Sequence, residues 1–172
     1  MVSAANSYNW DHQPSLQELL QDVVYLQQMP AQLANLLKDL PAEGLKYTYR
    51  VGGWNIGQIV HHLADASMNN FIRTKLALVE DNPTIKTWEQ DDWAAELDYT
   101  FNIESSYTLL IGLIQRWSLL LLEVMKRPDL LQKTFNHPDS GNIPLDKFIH
   151  FNAWHAKQHI AHIKQAITLN IK

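Results

Sequence analysis

Four blocks of apolar residues recur with the period of an α-helix, and proline or glycine stands between them. This pattern constrains the fold more than any other feature, because such a stripe is buried only by packing against another one. In the first block Ser15 and Glu18 read as a capping box, followed by Leu16, Leu19, Leu20, Val23 and Val24. The stripe resumes at Leu33, Leu36, Leu37 and Leu40 and stops at Pro41. Pro30 falls between the halves, so the helix is expected to kink or to split in two. The second block, over 55–80, carries Ile56, Ile59, Val60, Leu63, Phe71 and Leu78 and ends at Asp81-Asn82-Pro83. The third, over 104–126, carries Tyr107, Leu110, Ile111, Ile114, Trp117, Leu121 and Val124 and ends at Arg127-Pro128. The fourth takes Pro144 into its first turn and runs to about residue 169. No strand pattern competes with these blocks. The expected fold is all-α, a four-helix bundle with long inter-helix connections, as one domain over 1–172 with a polar N-terminal extension at 1–14.

Two connections are long. Residues 81–103 are rich in aromatics (Trp88, Trp93, Tyr99, Phe101) and predict a short helical piece around 88–97. A link of that length packs over something: a pocket as a lid, a second subunit, or simply the bundle itself. Residues 130–141 hold the turn signals Asn136-His137-Pro138-Asp139 and Ser140-Gly141.

The fourth block decides what the bundle is for. Its stripe of Leu145, Phe148, Ile149, Ile160, Ile163, Ala166 and Ile167 shares a helix face with His155 and His159, which are one turn apart. Imidazoles facing a core need partners for both ring nitrogens, and a pair so spaced is often joined by a metal. The second block offers His61 and His62, about 100° apart on a helix, so only one of them can point at a shared ion. The helical wheel does not choose between them. Gln58, Asp65 and Asn69 lie on the stripe of His62 and are placed to orient a ligating ring, which favours His62. His12, His137 and His150 read as ordinary hydrogen-bonded histidines. His162 is a further ligand or faces the substrate, and Asp65 is a general base or an anchor for an imidazole.

Three imidazoles from two helices leave an open coordination position, the pattern of a catalytic rather than a closed structural site. Imidazole suits zinc, nickel, copper and iron alike. Water in the open position would have its pKa lowered toward ~7, which points to hydrolysis and equally permits thiol activation. With 172 residues, a net charge of −4 and no basic run, nucleic acid is not an expected partner. With no cysteine there are no disulfides, no thiolate ligands and no cysteine nucleophile. The start of the chain has neither a basic nor an apolar run, so no signal peptide is expected. The most apolar segment, 109–125, is broken by Gln115 and Arg116 and is expected to be too short and too polar to span a bilayer. The expected setting is cytoplasmic, with no membrane partner.

Gly52-Gly53-Trp54, Val60-His61-His62-Leu63-Ala64-Asp65, Met68-Asn69, Arg73 and Lys75-Leu76-Ala77-Leu78 resemble the YfiT-like branch of the DinB family of metal-dependent hydrolases. So do Asn136-His137-Pro138-Asp139 and Trp154-His155 with His159-Ile160-Ala161-His162-Ile163. The resemblance runs from about Tyr25 to Ile163. It implies a four-helix bundle and a three-histidine site of His62, His155 and His159 holding one zinc or nickel ion per subunit. It also implies a cytoplasmic homodimer. The residues themselves leave Asp65 and His162 as candidate catalytic groups and a small molecule as the expected substrate. Relatives with extra histidines between the two late ligands differ from this chain, which has Ala156, Lys157 and Gln158 there. More distant members resemble thiol transferases, so a metal-dependent thiol transferase is the alternative enzyme. A non-catalytic binding protein is the alternative outside enzymology.

Overall fold

The computed structural model describes residues 8–170. Four long helices form the bundle: α1 Leu16–Leu37, α2 Ile56–Val79, α4 Glu104–Met125 and α6 Leu145–Asn170. Single turns α3, Gln90–Trp93, and α5, Pro128–Leu131, lie in the connections, with 3-10 turns at Ala42–Lys46 and Leu97–Thr100. Around the ring α1 packs on α4 and α6, and α2 packs on the same two, so α2 and α6 are neighbours. Their stripes meet in one core whose largest fully buried side chains include Trp117, Phe135, Met29 and Leu110.

Local chemistry sets the helix starts. Ser15 caps α1 and Glu18 returns the bond, as expected. Asn55 caps α2 and Gln58 returns the bond, a second capping box. Pro30 does not split α1, which runs through it as one helix. Proline lacks an N–H donor and its ring crowds the carbonyl of Leu26, and burial of Leu26, Met29 and Leu33 on either side offsets that cost.

The fold is not strictly all-α. Residues expected only as a turn form a two-stranded antiparallel hairpin, β1 Thr134–His137 and β2 Gly141–Pro144. The turn chemistry was legible, with Gly141 in the left-handed region at φ +72°. Its arms were not, because four residues are too few to show a period-two pattern. Phe135 and Ile143 pair across the hairpin and are both buried, with Phe135 edge-on to Phe148 of α6. Pro144 accordingly closes β2 and lies just before α6 rather than in its first turn. The start of the 81–103 crossover runs along the hairpin edge, with Ile85 N–H donating to Asn136 O at 3.0 Å.

Two other expectations change. Residues 1–7 of the N-terminal extension lie outside the described residues. Tyr8 and Trp10, however, pack on α6: Trp10 stacks on Phe151 at 5.0 Å, and Tyr8 lies edge-on to the same ring at 5.2 Å. In addition, α4 is long and apolar enough to cross a membrane by length and composition, with a mean hydropathy of 1.5 in its most apolar window. The helix is longer than the apolar run at 109–125. Here it serves the bundle, turning Leu110, Ile114, Trp117, Leu121 and Val124 into the core.

Candidate metal centre

α2 and α6 bring His62, His155 and His159 together. The Nε2 atoms of His62 and His155 are 3.2 Å apart, and those of His159 and His155 are 3.0 Å apart. One imidazole nitrogen offers either one lone pair or one proton, so the Nε2 of His155 cannot make two ordinary bonds at once. A shared cation resolves the conflict. Two nitrogens on one tetrahedral ion, with bonds of about 2.0–2.1 Å, stand about 3.3–3.4 Å apart. The three rings therefore fit a divalent ion through Nε2. The Nδ1 atoms of His62 and His159 are buried without a hydrogen-bond partner.

All three imidazoles are in the state a metal requires. Burial, followed by the nearby His155, holds His62 well below the ordinary histidine pKa. Burial, then His155, His62 and His162, does the same to His159. Burial, then His162, takes His155 down to about 4. At neutral pH each ring is uncharged and its Nε2 can bind a cation.

His61 is not part of the cluster. Its Nε2–H donates to Phe101 O at 3.3 Å, and its Nδ1 accepts the Ser106 hydroxyl at 2.7 Å, so it ties α2 to the crossover and to α4. Both members of the pair are buried, at 4% and 0% exposure, which is why burial alone could not choose between them. The neighbours that favoured His62 do not touch it. Gln58 is spent on the α2 cap and on Ala94 O at 2.8 Å. The Asp65 carboxylate accepts the Tyr99 hydroxyl at 2.6 Å, and Asn69 donates to Asp65 O at 2.9 Å. Asp65 does not line the cavity that opens on the histidines, so its expected role as general base or ligand anchor is not supported. Burial raises its pKa, against the lowering effect of the Tyr99 bond.

What supports the cluster comes from elsewhere. Trp54 packs at 4.7 Å from His62 and lies parallel to His159 at 6.2 Å. Trp88, carried in by the crossover, stacks on His62 at 5.6 Å. The crossover thus covers the site in this chain. Towards the hairpin, Asn70 of α2 donates to Asn152 of α6, and Asn152 donates to Phe148 O at 2.7 Å. This buried amide pair fixes the register of the two helices that carry the rings. A weak signal for it lies in the spacing, since Asn70 is two turns beyond His62 and Asn152 one turn before His155.

His162 lines the cavity, 5.7 Å from the His159 ring, and is stacked flat on Tyr49 at 4.1 Å. Gly53 allows this, because a Cβ there would stand 2.9 Å from the Tyr49 ring. Burial, then Arg50, lowers the His162 pKa. The remaining histidines bind protein groups. His12 pairs with Glu18 at 3.1 Å, and Asp139 N–H donates to His137 Nδ1 at 3.2 Å. His150 pairs with the buried Asp22 carboxylate, shared with Lys157. The cavity over the three-histidine cluster measures about 970 Å³.

A sequence model of the DinB superfamily matches residues 25–163. The chain belongs to the DinB superfamily. Among its relatives in that superfamily, a protein of Oceanobacillus iheyensis named "putative metal-dependent hydrolase" is 44% identical over 80% of this chain and 79% of its own. A Bacillus mycoides protein of the same name is also 44% identical, with the same coverage. The solved structure of YfiT from Bacillus subtilis, described as "a probable metal-dependent hydrolase with an unusual four-helix bundle topology", superposes with a TM-score of 0.88. It is 32% identical, over 94% of this chain and 93% of that one. The mycothiol-dependent maleylpyruvate isomerase superposes with a TM-score of 0.67 at 13% identity, over 88% of this chain and 63% of that one, a likeness of fold alone.

Proposed function

We propose that this DinB protein is a metal-dependent hydrolase of a small molecule, in which His62, His155 and His159 hold one divalent ion, zinc or nickel. The observation that carries the proposal is the approach of three Nε2 atoms, at 3.0 and 3.2 Å, under an aromatic-walled cavity. When bound, the ion supplies Lewis acidity, which makes water nucleophilic at neutral pH and polarises the bond under attack. Trp54 and Trp88 exclude bulk solvent from the rings and fix their orientation. His162 is the candidate proton carrier. Its depressed pKa keeps it neutral at pH 7, so it accepts a proton during attack and returns it to the leaving group.

The test combines metal analysis with a substrate panel. Wild-type protein is expected to retain about one equivalent of a divalent metal, and a His155→Ala/His159→Ala variant is expected to lose it. Equal metal content in the two would end the proposal. Turnover of ester, amide or phosphate substrates should vanish with chelator. Turnover that appears only on adding a small thiol would replace the hydrolase with a thiol transferase.

A further inference from the structure

Arg73 is a half-buried cation on the cavity wall for which the proposed hydrolysis has no use. It follows Ala66 and Asn70 on the face of α2 that begins at His62, and all four residues line the cavity. Eleven residues of helix put its Cα about 16 Å from that of His62. Among the described residues no carboxylate lies within ion-pair distance of its guanidinium. One terminal nitrogen, Nη2, donates to Lys86 O at 3.1 Å, which pins the crossover and leaves the other donors of the fork uncommitted. Burial lowers the pKa of the group, a sign that its charge is held away from bulk water. His137 lines the same cavity, near enough for the Arg73 charge to lower its pKa, after burial. Because the Asp139 N–H donates to its Nδ1, the proton of the neutral ring is on Nε2, a donor with no partner among the described residues. Phe135, Phe148 and Phe151 line the same cavity and give it apolar walls.

We infer that Arg73, with His137 beside it, binds a carboxylate carried by the substrate at the end away from the bond that is broken. The substrate class is then a small ester or amide with an apolar body and a distal carboxylate. A guanidinium with one edge free matches a carboxylate through two parallel bonds. A dianionic phosphate fits less well, because Glu89, Asp92 and Asp139 also line the cavity and oppose a second negative charge. The inference rests on the hydrolase reading for the words ester and amide, but not for the carboxylate.

Calorimetry with 3-phenylpropionate and its neutral amide, on the zinc-loaded full chain, tests it. The acid should bind about 10-fold or more tightly than the amide. Arg73→Gln should erase that preference by weakening the acid alone, and amide binding reports that the variant is folded. Arg73→Lys should restore part of it. The preference should survive in chelator-treated protein. If it disappears with the zinc and ignores Arg73→Gln, the carboxylate sits on the ion and the inference is overturned. Equal binding of acid and amide overturns it too, as does phenyl phosphate binding more tightly than the acid. If the preference holds while no ester or amide is turned over, the subsite stands and the hydrolase reading falls.

Discussion

Adding zinc to metal-free protein should raise its melting temperature, and the structure sets both the size and the pH range of the effect. The three Nε2 atoms already stand 3.0 and 3.2 Å apart, so binding needs little rearrangement. An ion present at a hundred times its dissociation constant stabilises the folded state by about 2.7 kcal/mol. For a chain of this size each kcal/mol is worth about 2–4 °C, which gives a rise of about 5–10 °C. Acid should act in two ways. In the metal-free fold the three histidines are depressed below the unfolded value of 6.5, with His155 at about 4. The unfolded chain therefore takes up protons first. Stability from these rings is complete above pH 6.5 and is lost as pH falls through that window towards 4. In the folded site all three rings are held below the ordinary histidine value, so protons compete with zinc less there than at free histidines. A surface cluster with ordinary pKa values would lose about 10-fold in affinity per ligand over the same step. Differential scanning fluorimetry at pH 7.5 and 5.5, on wild type and the His155→Ala/His159→Ala variant, reads all of this. The reasoning fails if the double variant gains as much as wild type, or if the wild-type gain disappears by pH 5.5.

Three further substitutions probe the frame. Phe135→Ala empties a fully buried position against Phe148 and should cost about 3–5 kcal/mol, read by urea unfolding; a cost near zero would mean the hairpin is not part of the core. Thr74→Val removes the oxygen that accepts the Trp117 indole N–H at 3.0 Å in the core and should cost about 1–3 kcal/mol by the same assay. His61→Ala should cost a similar amount by losing its bonds to Ser106 and Phe101, yet leave metal content unchanged by elemental analysis. Loss of metal in that variant would show that the wrong member of the pair has been assigned to the cluster.

The bundle was legible because its signals are long. Stripes of twenty or so residues (α1, α2, α4 and α6) declare their period, and Ser15 with Glu18 marks a start by local bonds alone. The hairpin was hidden because its arms are four residues each, and Phe135 is as compatible with a loop as with a strand. The histidine pair one turn apart was legible from spacing. The choice of His62 over His61 was not, since a wheel places both near the core and the polar neighbours used to decide turn out to serve the α2 cap and the crossover. Trp88 reaches the cavity through tertiary packing of the 81–103 segment, which no periodicity encodes. Trp54 carried a faint signal, because Gly52-Gly53 before it marks a close backbone approach.

Helix α6 carries two buried polar clusters, and the contrast between them shows which one the fold exists to present. On one flank, Asp22 of α1 is buried but saturated, bound by His150 at 2.5 Å and Lys157 at 3.0 Å. Nothing further is needed there, and the arrangement is explained by packing α1 on α6. On the other flank His62 and His159 each keep a buried Nδ1 without a partner, and three Nε2 atoms crowd together. Three crowded Nε2 atoms are an arrangement that a purely structural core would have removed, and an ion shared through Nε2 would relieve it. The surroundings hold the strained arrangement in place rather than relieve it: Trp54 and Trp88 press on the rings, and the Asn70–Asn152 pair locks the two helices at one register. A rigid frame around unsatisfied donors and acceptors is what a site prepared for a ligand requires. It follows that relaxing the frame should weaken the metal as well as the fold. Asn152→Leu, which keeps the branched shape but leaves the Asn70 amide unpaired, tests this: it should lower metal affinity by about 10-fold or more, beside a fold cost of about 1–3 kcal/mol. An unchanged affinity would mean that the rings are positioned by their own helices alone.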